Sequence, residues 1–78
     1  MNYIKSVTPL KGYRLFVEME SGSVIILDLS VKLNTMKYQE LQAGSLFTSV
    51  HTDGNYVIWG DDRINMTAKE LMEIALIG

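Results

Sequence analysis

The sequence predicts an α+β domain: a small, mostly antiparallel sheet of hairpins, one C-terminal helix packed on it, and a short helical turn in the middle connection. Three observations carry this. Tyr13 to Glu20 alternates apolar and polar side chains with period two, the pattern of a half-buried antiparallel strand. Turn signals at Glu20-Ser21-Gly22-Ser23 and Asp53-Gly54-Asn55 separate β-rich runs, as hairpins require. Thr67-Ala68-Lys69-Glu70 has capping-box form and opens a run with apolar residues at helical spacing.

Each element follows in chain order. Tyr3 to Val7 mixes β-formers with polar residues and reads as a first strand, which Pro9 should end before a turn at Lys11-Gly12. In the next strand Tyr13, Leu15, Val17 and Met19 share one face. Arg14, Phe16, Glu18 and Glu20 share the other, with Phe16 the apolar exception. Val24 to Leu29 is the returning strand of this hairpin. Ser30 to Gln42 fits no clean helical stripe. So long a connection in a small domain favours local helix, expected at Tyr38 to Gln42 and stopped near Gly44, with Leu46 and Phe47 plugging the core edge. Phe47 to Thr52 is strand-like, Tyr56 to Trp59 is nearly all apolar and reads as a central strand, and Asp-Gly between them marks a second hairpin. Gly60-Asp61-Asp62 turns again, and Ile64 to Met66 forms a short last strand. In the terminal helix Ala68, Leu71, Met72 and Ala75 follow i, i+3, i+4, i+7 spacing, and Ile74, Leu76 and Ile77 widen the apolar face nearly all round. The expected core is Ile4, Val7, Leu15, Val17, Ile25 or Ile26, Leu41, Phe47, Val50, Ile58, Trp59, Leu71 and Ala75.

Composition bounds the function. The chain has 78 residues, 47% of them hydrophobic and 21% charged, which fits one folded domain spanning 1–78. No run of about 18 apolar residues is present, so no membrane-spanning helix is expected. The absence of cysteine excludes a disulfide scaffold, a zinc–thiolate site and a thiol nucleophile. Residues 1–11 contain no apolar signal-peptide region, which makes the cytoplasm the expected location. A net charge of −2 gives no strong electrostatic reason for direct contact with nucleic acid or an anionic membrane. The charge is polarised, with a balance of +2 over residues 1–39 and −4 over 40–78.

Few residues carry chemistry. His51 is the only histidine, and no nucleophile motif surrounds it. Asp61 and Asp62 are paired carboxylates, but adjacent turn residues point apart and aspartate is a common turn former. The six glycines have neither dinucleotide-binding nor P-loop spacing, and no serine lies in a nucleophile-elbow context. Lys5, Lys11 and Arg14, with Tyr13 and Phe16 nearby, offer a small surface for single-stranded nucleic acid. The terminal helix has more apolar surface than one sheet face can cover. Met72, Leu76 and Ile77 are therefore the candidate partner-binding residues.

One resemblance is visible. Val7, Pro9, Leu10, Tyr13 and Leu15, then Gly22, then Asp28-Leu29, resemble the start of the bacterial domain-of-unknown-function 2442 family. Phe47 and Val50, Ile58-Trp59, Ile64 and a helix opening near Glu70-Leu71 resemble its later pattern, so the likeness spans about residues 3–73. The family often has an acid just after the position of Ile64, where this chain has Asn65, and a proline near the helix start, where it has Thr67-Ala68. The resemblance implies a small α+β domain and supplies no catalytic residue. Some members are followed by a helix-turn-helix domain, and others are encoded beside another small protein in an arrangement similar to toxin–antitoxin pairs. The expectation is a non-enzymatic protein-interaction module without a cofactor or metal, its partner another small protein or a second copy. The alternative is an accessory regulatory or nucleic-acid-binding domain.

Overall fold

A computed structural model describes the backbone of residues 3–77 and the side chains of residues 3–75. Among the described residues six strands form, all antiparallel, and they divide between two three-stranded sheets. The first sheet has the order β1 (Ile4–Leu10), β2 (Arg14–Met19), β3 (Val24–Asp28); the second has β4 (His51–Thr52), β5 (Tyr56–Trp59), β6 (Ile64–Thr67). Two 3-10 turns, Ser30–Lys32 and Gln39–Gln42, and a one-turn helix α1 (Gly44–Phe47) connect the sheets. Helix α2 (Ala68–Ile77) closes the fold, packed against β3 and β6. The expected α+β architecture, with its middle helical turn and terminal helix, is the one observed.

The alternation of β2 sets the core. Leu15, Val17 and Met19 are buried, while Arg14 on the opposite face is exposed and Phe16 and Glu18 are half-buried. Leu27 and Leu29 meet them from β3 and the residue beyond it, and Leu41, Val57, Trp59, Met66 and Leu71 complete a layer of fully buried side chains. Each such aliphatic or aromatic side chain contributes about 1.5–3 kcal/mol by leaving water. The two sheets meet where the Ile4 amide donates to the Gly54 carbonyl at 2.9 Å.

Several details depart from the sequence expectations, each for a local reason. β1 does not end at Pro9; it runs to Leu10. The ladder register with β2 gives Ser6, Thr8 and Leu10 the inward-facing backbone groups, so the missing N–H of Pro9 points off the sheet edge, where it costs no ladder bond. The strand expected over Phe47 to Thr52 shrinks to His51–Thr52. Its first half is taken by local bonds: the amides of Leu46 and Phe47 donate to the Ala43 carbonyl, and that of Thr48 donates to Gly44. The expected turn over Tyr38–Gln42 is present as Gln39–Gln42 and stops at Ala43, next to Gly44, and Gly44 then starts a further helical turn. Tyr13 sits in the β1–β2 turn at φ 59° beside Gly12 at φ 76°, a left-handed pair that a non-glycine residue adopts at a cost. Two tertiary contacts hold it there. Its hydroxyl donates to the Gln42 carbonyl at 2.8 Å, and its ring stands edge-on to Phe47, centroids 5.2 Å apart.

The core also differs in membership. Ile4, Leu15, Val17, Leu41, Phe47, Val50, Ile58, Trp59 and Leu71 are buried as expected. Val7, Ile25 and Ala75 are half-buried against the core, and Ile26 is out of it. Tyr38 and Leu33 from the middle connection, and Ile74 from α2, join it unannounced.

Candidate functional site

The strongest surface feature is the free edge of the first sheet. β3 is a terminal strand, with β2 on one side and no strand on the other among the described residues. The Met19 amide donates to Ser23 at 2.8 Å and the Leu29 amide to Tyr13 at 2.9 Å. Ladder bonds in an antiparallel pair recur at every second residue, so Ser23, Ile25, Leu27 and Leu29 aim their backbone groups at β2. Val24, Ile26 and Asp28 aim theirs away from the sheet.

Two of these three, Val24 and Ile26, are apolar and exposed. Val24 is 51% exposed and Ile26 58% exposed, because alternation turns them to the face opposite Leu27. Phe16 lies directly across from Ile26 and extends this band inward along the sheet. Natural edge strands are commonly blunted by lysine, proline or a bulge. Ser23 to Leu27 carries none of these: the sheet's one register shift lies on the opposite edge, between Ile4 and Ser6. Toward its end Asp28 turns back on its own chain. Its carboxylate accepts from the Ser30 hydroxyl at 2.6 Å and the Ser30 amide at 2.9 Å, and these bonds, aided by Arg14, hold its pKa below the usual aspartate value.

A second feature is a cleft of about 250 Å³ between the middle connection and α2, lined by Lys32, Lys37, Tyr38, Glu70 and Glu73 among others. Glu70 is its centre. One carboxylate oxygen accepts from Lys37 Nζ at 2.6 Å and from the Tyr38 hydroxyl at 3.0 Å. The other closes the capping box: the Thr67 amide donates to it at 3.3 Å, and Thr67 Oγ1 accepts from the Glu70 amide at 3.0 Å. Partial burial raises the Glu70 pKa, but the bonds from Lys37, Tyr38 and Thr67 outweigh it and leave the pKa lowered. Burial, then the neighbouring carboxylate, push the Tyr38 phenol well above its ordinary value, so it remains a neutral donor. These groups satisfy one another and pin the helix start to the middle connection.

The residues singled out by sequence do not assemble. His51 is exposed on β4, its Nδ1 3.2 Å from the Ser49 carbonyl oxygen. Asp61 and Asp62 are exposed in the β5–β6 turn, Asp62 at φ 60°. Among the described residues no group of three or more His, Cys, Asp or Glu side chains is arranged to hold a metal ion. Two of the three basic side chains are engaged locally: Lys5 lies 3.8 Å from Glu18, and Arg14 Nε donates to the Lys11 backbone carbonyl at 3.0 Å, while Lys11 is exposed. Met72 is half-buried and packs against the core, while the side chains of Leu76 and Ile77 lie outside the described residues. Leu71 and Ile74 of the same helix are buried, so the described part of α2 spends its apolar face on the fold.

Sequence reasoning missed the β3 edge because Val24-Ile25-Ile26-Leu27 contains no polar residue to mark its two faces. Phe16 was the available signal: it is apolar on a polar face, and it is the cross-strand neighbour of Ile26. No helix among the described residues is long and apolar enough to cross a membrane. Comparison with known proteins found no matching family model, no matching curated protein and no matching solved structure.

Proposed function

We propose that this protein is a non-enzymatic interaction module that binds an extended segment of a protein partner along β3. One observation carries the reading: Val24 and Ile26 present outward backbone groups that no strand pairs among the described residues, and exposed β-branched side chains on the same stretch of edge. Strand addition uses both, the backbone for affinity and the alternating side chains for selectivity. The resemblance to the domain-of-unknown-function 2442 family, with its small neighbouring proteins, supports a partner of this kind in a bacterial cytoplasm. The lead passes from the helix residues Met72, Leu76 and Ile77 to β3, because Met72 packs inward.

The test is site-specific photocrosslinking in the native cell with the reactive group at position 26, and at Lys69 on the exposed side of α2 as control. Adducts at 26 alone, mapping to a β-rich stretch of the captured chain, are expected. Equal adducts at both positions, or none at 26, would overturn the proposal.

A further inference from the structure

We infer that the segment taken up by β3 is β3 of a second copy, so that two chains join their first sheets into one six-stranded sheet. The inference rests on the strand-addition reading above and adds the occupant and its register.

The argument is self-complementarity. An antiparallel pairing of a strand with itself is twofold symmetric and closes at two copies. Apart from the register with Val24 opposite Val24, which sets Asp28 opposite Glu20 with like charges face to face, the outward backbone groups of Val24 and Ile26 meet outward groups of the second copy in two registers. In one, Ile26 faces Ile26 of the second copy and Val24 faces Asp28. This register sets a carboxylate against an apolar side chain twice. In the other, Val24 faces Ile26 of the second copy, and the axis passes beside Ile25. This second register gathers Val24, Ile26 and Phe16 of both copies into one apolar cluster on the outer face. It places Asp28 opposite Gly22, which has no side chain and whose Cβ position has no atom within 4 Å. It also leaves Asp28 next to its own cross-strand partner Arg14 and sets no like charges face to face. The second register is the one assigned.

The size of the contact fixes its strength. Two narrow pairs exchange about four backbone hydrogen bonds. The contact is lined by the 5 residues of β3 from each copy, against roughly 20–30 a side in a standard stable interface. The dimer is therefore weak and forms with rising concentration.

Sedimentation equilibrium reads this directly. The mass should rise from 8.8 kDa toward twice that value over about 10 µM to 1 mM, a range suited to a contact of less than standard size. Ile26→Lys alters a side chain 58% exposed, so it should keep the parental circular dichroism and stay monomeric throughout. The chain has no cysteine, so register is read by mixing Val24→Cys with Ile26→Cys under oxidising conditions. Mixed 24–26 disulfides should exceed both like pairs. A parent that stays at 8.8 kDa throughout overturns the second-copy inference and leaves the strand-addition reading to its crosslinking test. A dimer that persists in Ile26→Lys forms through another face and likewise overturns the second-copy inference alone. A dominant 26–26 disulfide overturns the assigned register.

Discussion

Replacing Glu70 should loosen the fold by an amount that follows from its side-chain bonds to Thr67, Tyr38 and Lys37. In Glu70→Ala the capping box loses its returning half, which is worth about 1 kcal/mol. The Tyr38 hydroxyl loses its acceptor, and because Tyr38 is only 5% exposed this adds about 1 kcal/mol. The ion pair with Lys37 adds only a few tenths of a kcal/mol, since the two side chains are 44% and 34% exposed and solvent screens them. The total is about 2 kcal/mol, a large share of the ~4–12 kcal/mol that a domain of this size holds. At about 4–8 °C per kcal/mol, the Tm should fall by roughly 8–16 °C. Glu70→Gln keeps an acceptor for Tyr38 and Thr67 and should lose about half as much. Thermal and urea unfolding, followed by circular dichroism and by fluorescence of the single tryptophan, measure both variants. An Ala variant within about 0.5 kcal/mol of the parent would refute the claim that Glu70 clamps α2 to the middle connection, because cap loss alone typically costs more.

The same clamp sets a pH dependence. The folded pKa of Glu70 lies below its unfolded value of 4.5, so its stabilisation is fully present above pH 4.5 and is lost as pH falls through the lower folded value. Asp28 and Asp53 act with the same sign, each held low mainly by hydrogen bonds from residues just after it. The parent should therefore lose stability on acidification below about pH 4.5, and Glu70→Gln should show a shallower slope across that window. Equal slopes for the two proteins would mean that Glu70 is not held low in the folded state.

Three further outcomes are expected. Leu27→Ala empties a fully buried site and should cost about 2–5 kcal/mol, enough to bring the unfolding midpoint near ambient temperature; urea titration showing under 1 kcal/mol would contradict its place in the core. Gly60→Ala should cost about 1–2 kcal/mol, since φ is +66° and the new Cβ would stand 3.2 Å from Leu46 Cδ1; a shift of the Leu46 methyl resonances should accompany the loss, and unchanged stability and resonances would count against that approach. Trp59→Phe should cost less than Leu27→Ala despite the larger side chain, because among the described residues Nε1 of Trp59 is buried without an acceptor and its removal relieves an unpaired donor; a loss of 3 kcal/mol or more by thermal unfolding would show that the donor is satisfied.

What the sequence disclosed was chemistry that acts within a few residues. The alternation of β2, the Asp53 turn and the Thr67–Glu70 box each rest on neighbours close along the chain. In the Asp53 turn, for example, the carboxylate accepts from the amides of Asn55 and Tyr56 at 2.9 Å each. What stayed hidden depended on distant partners. Tyr38 is buried because Glu70, 32 residues on, accepts its hydroxyl. The strand expected at Phe47 is cut short partly because the Ser49 hydroxyl accepts from the Gly60 amide, 11 residues on, at 2.9 Å. No local pattern encodes either contact.

The placement of the proposed interaction surface follows the same logic. An excess of apolar residues was legible in α2, yet excess is defined only against what a helix meets. Here it meets Leu27 and Leu29 of the first sheet and Leu33 and Tyr38 of the connection in one core, and Leu71 and Ile74 are consumed there. Part of the apolar surface left exposed lies on β3, where the run Val24 to Leu27 divides by parity: Leu27 enters the core because it pairs with Leu15, and Ile26 leaves it because it pairs with Phe16. A shift of one residue in the β2–β3 register would exchange the two faces. Lengthening the Glu20–Ser23 turn by one residue therefore tests the assignment: the fold should be destabilised strongly, because the new register would drive Ile26 inward and Leu27 into solvent. If stability survived the insertion with Ile26 still accessible to a cysteine-directed label in Ile26→Cys, the turn would be absorbing the extra residue and the core pairing, not the turn, would be what fixes the exposed edge.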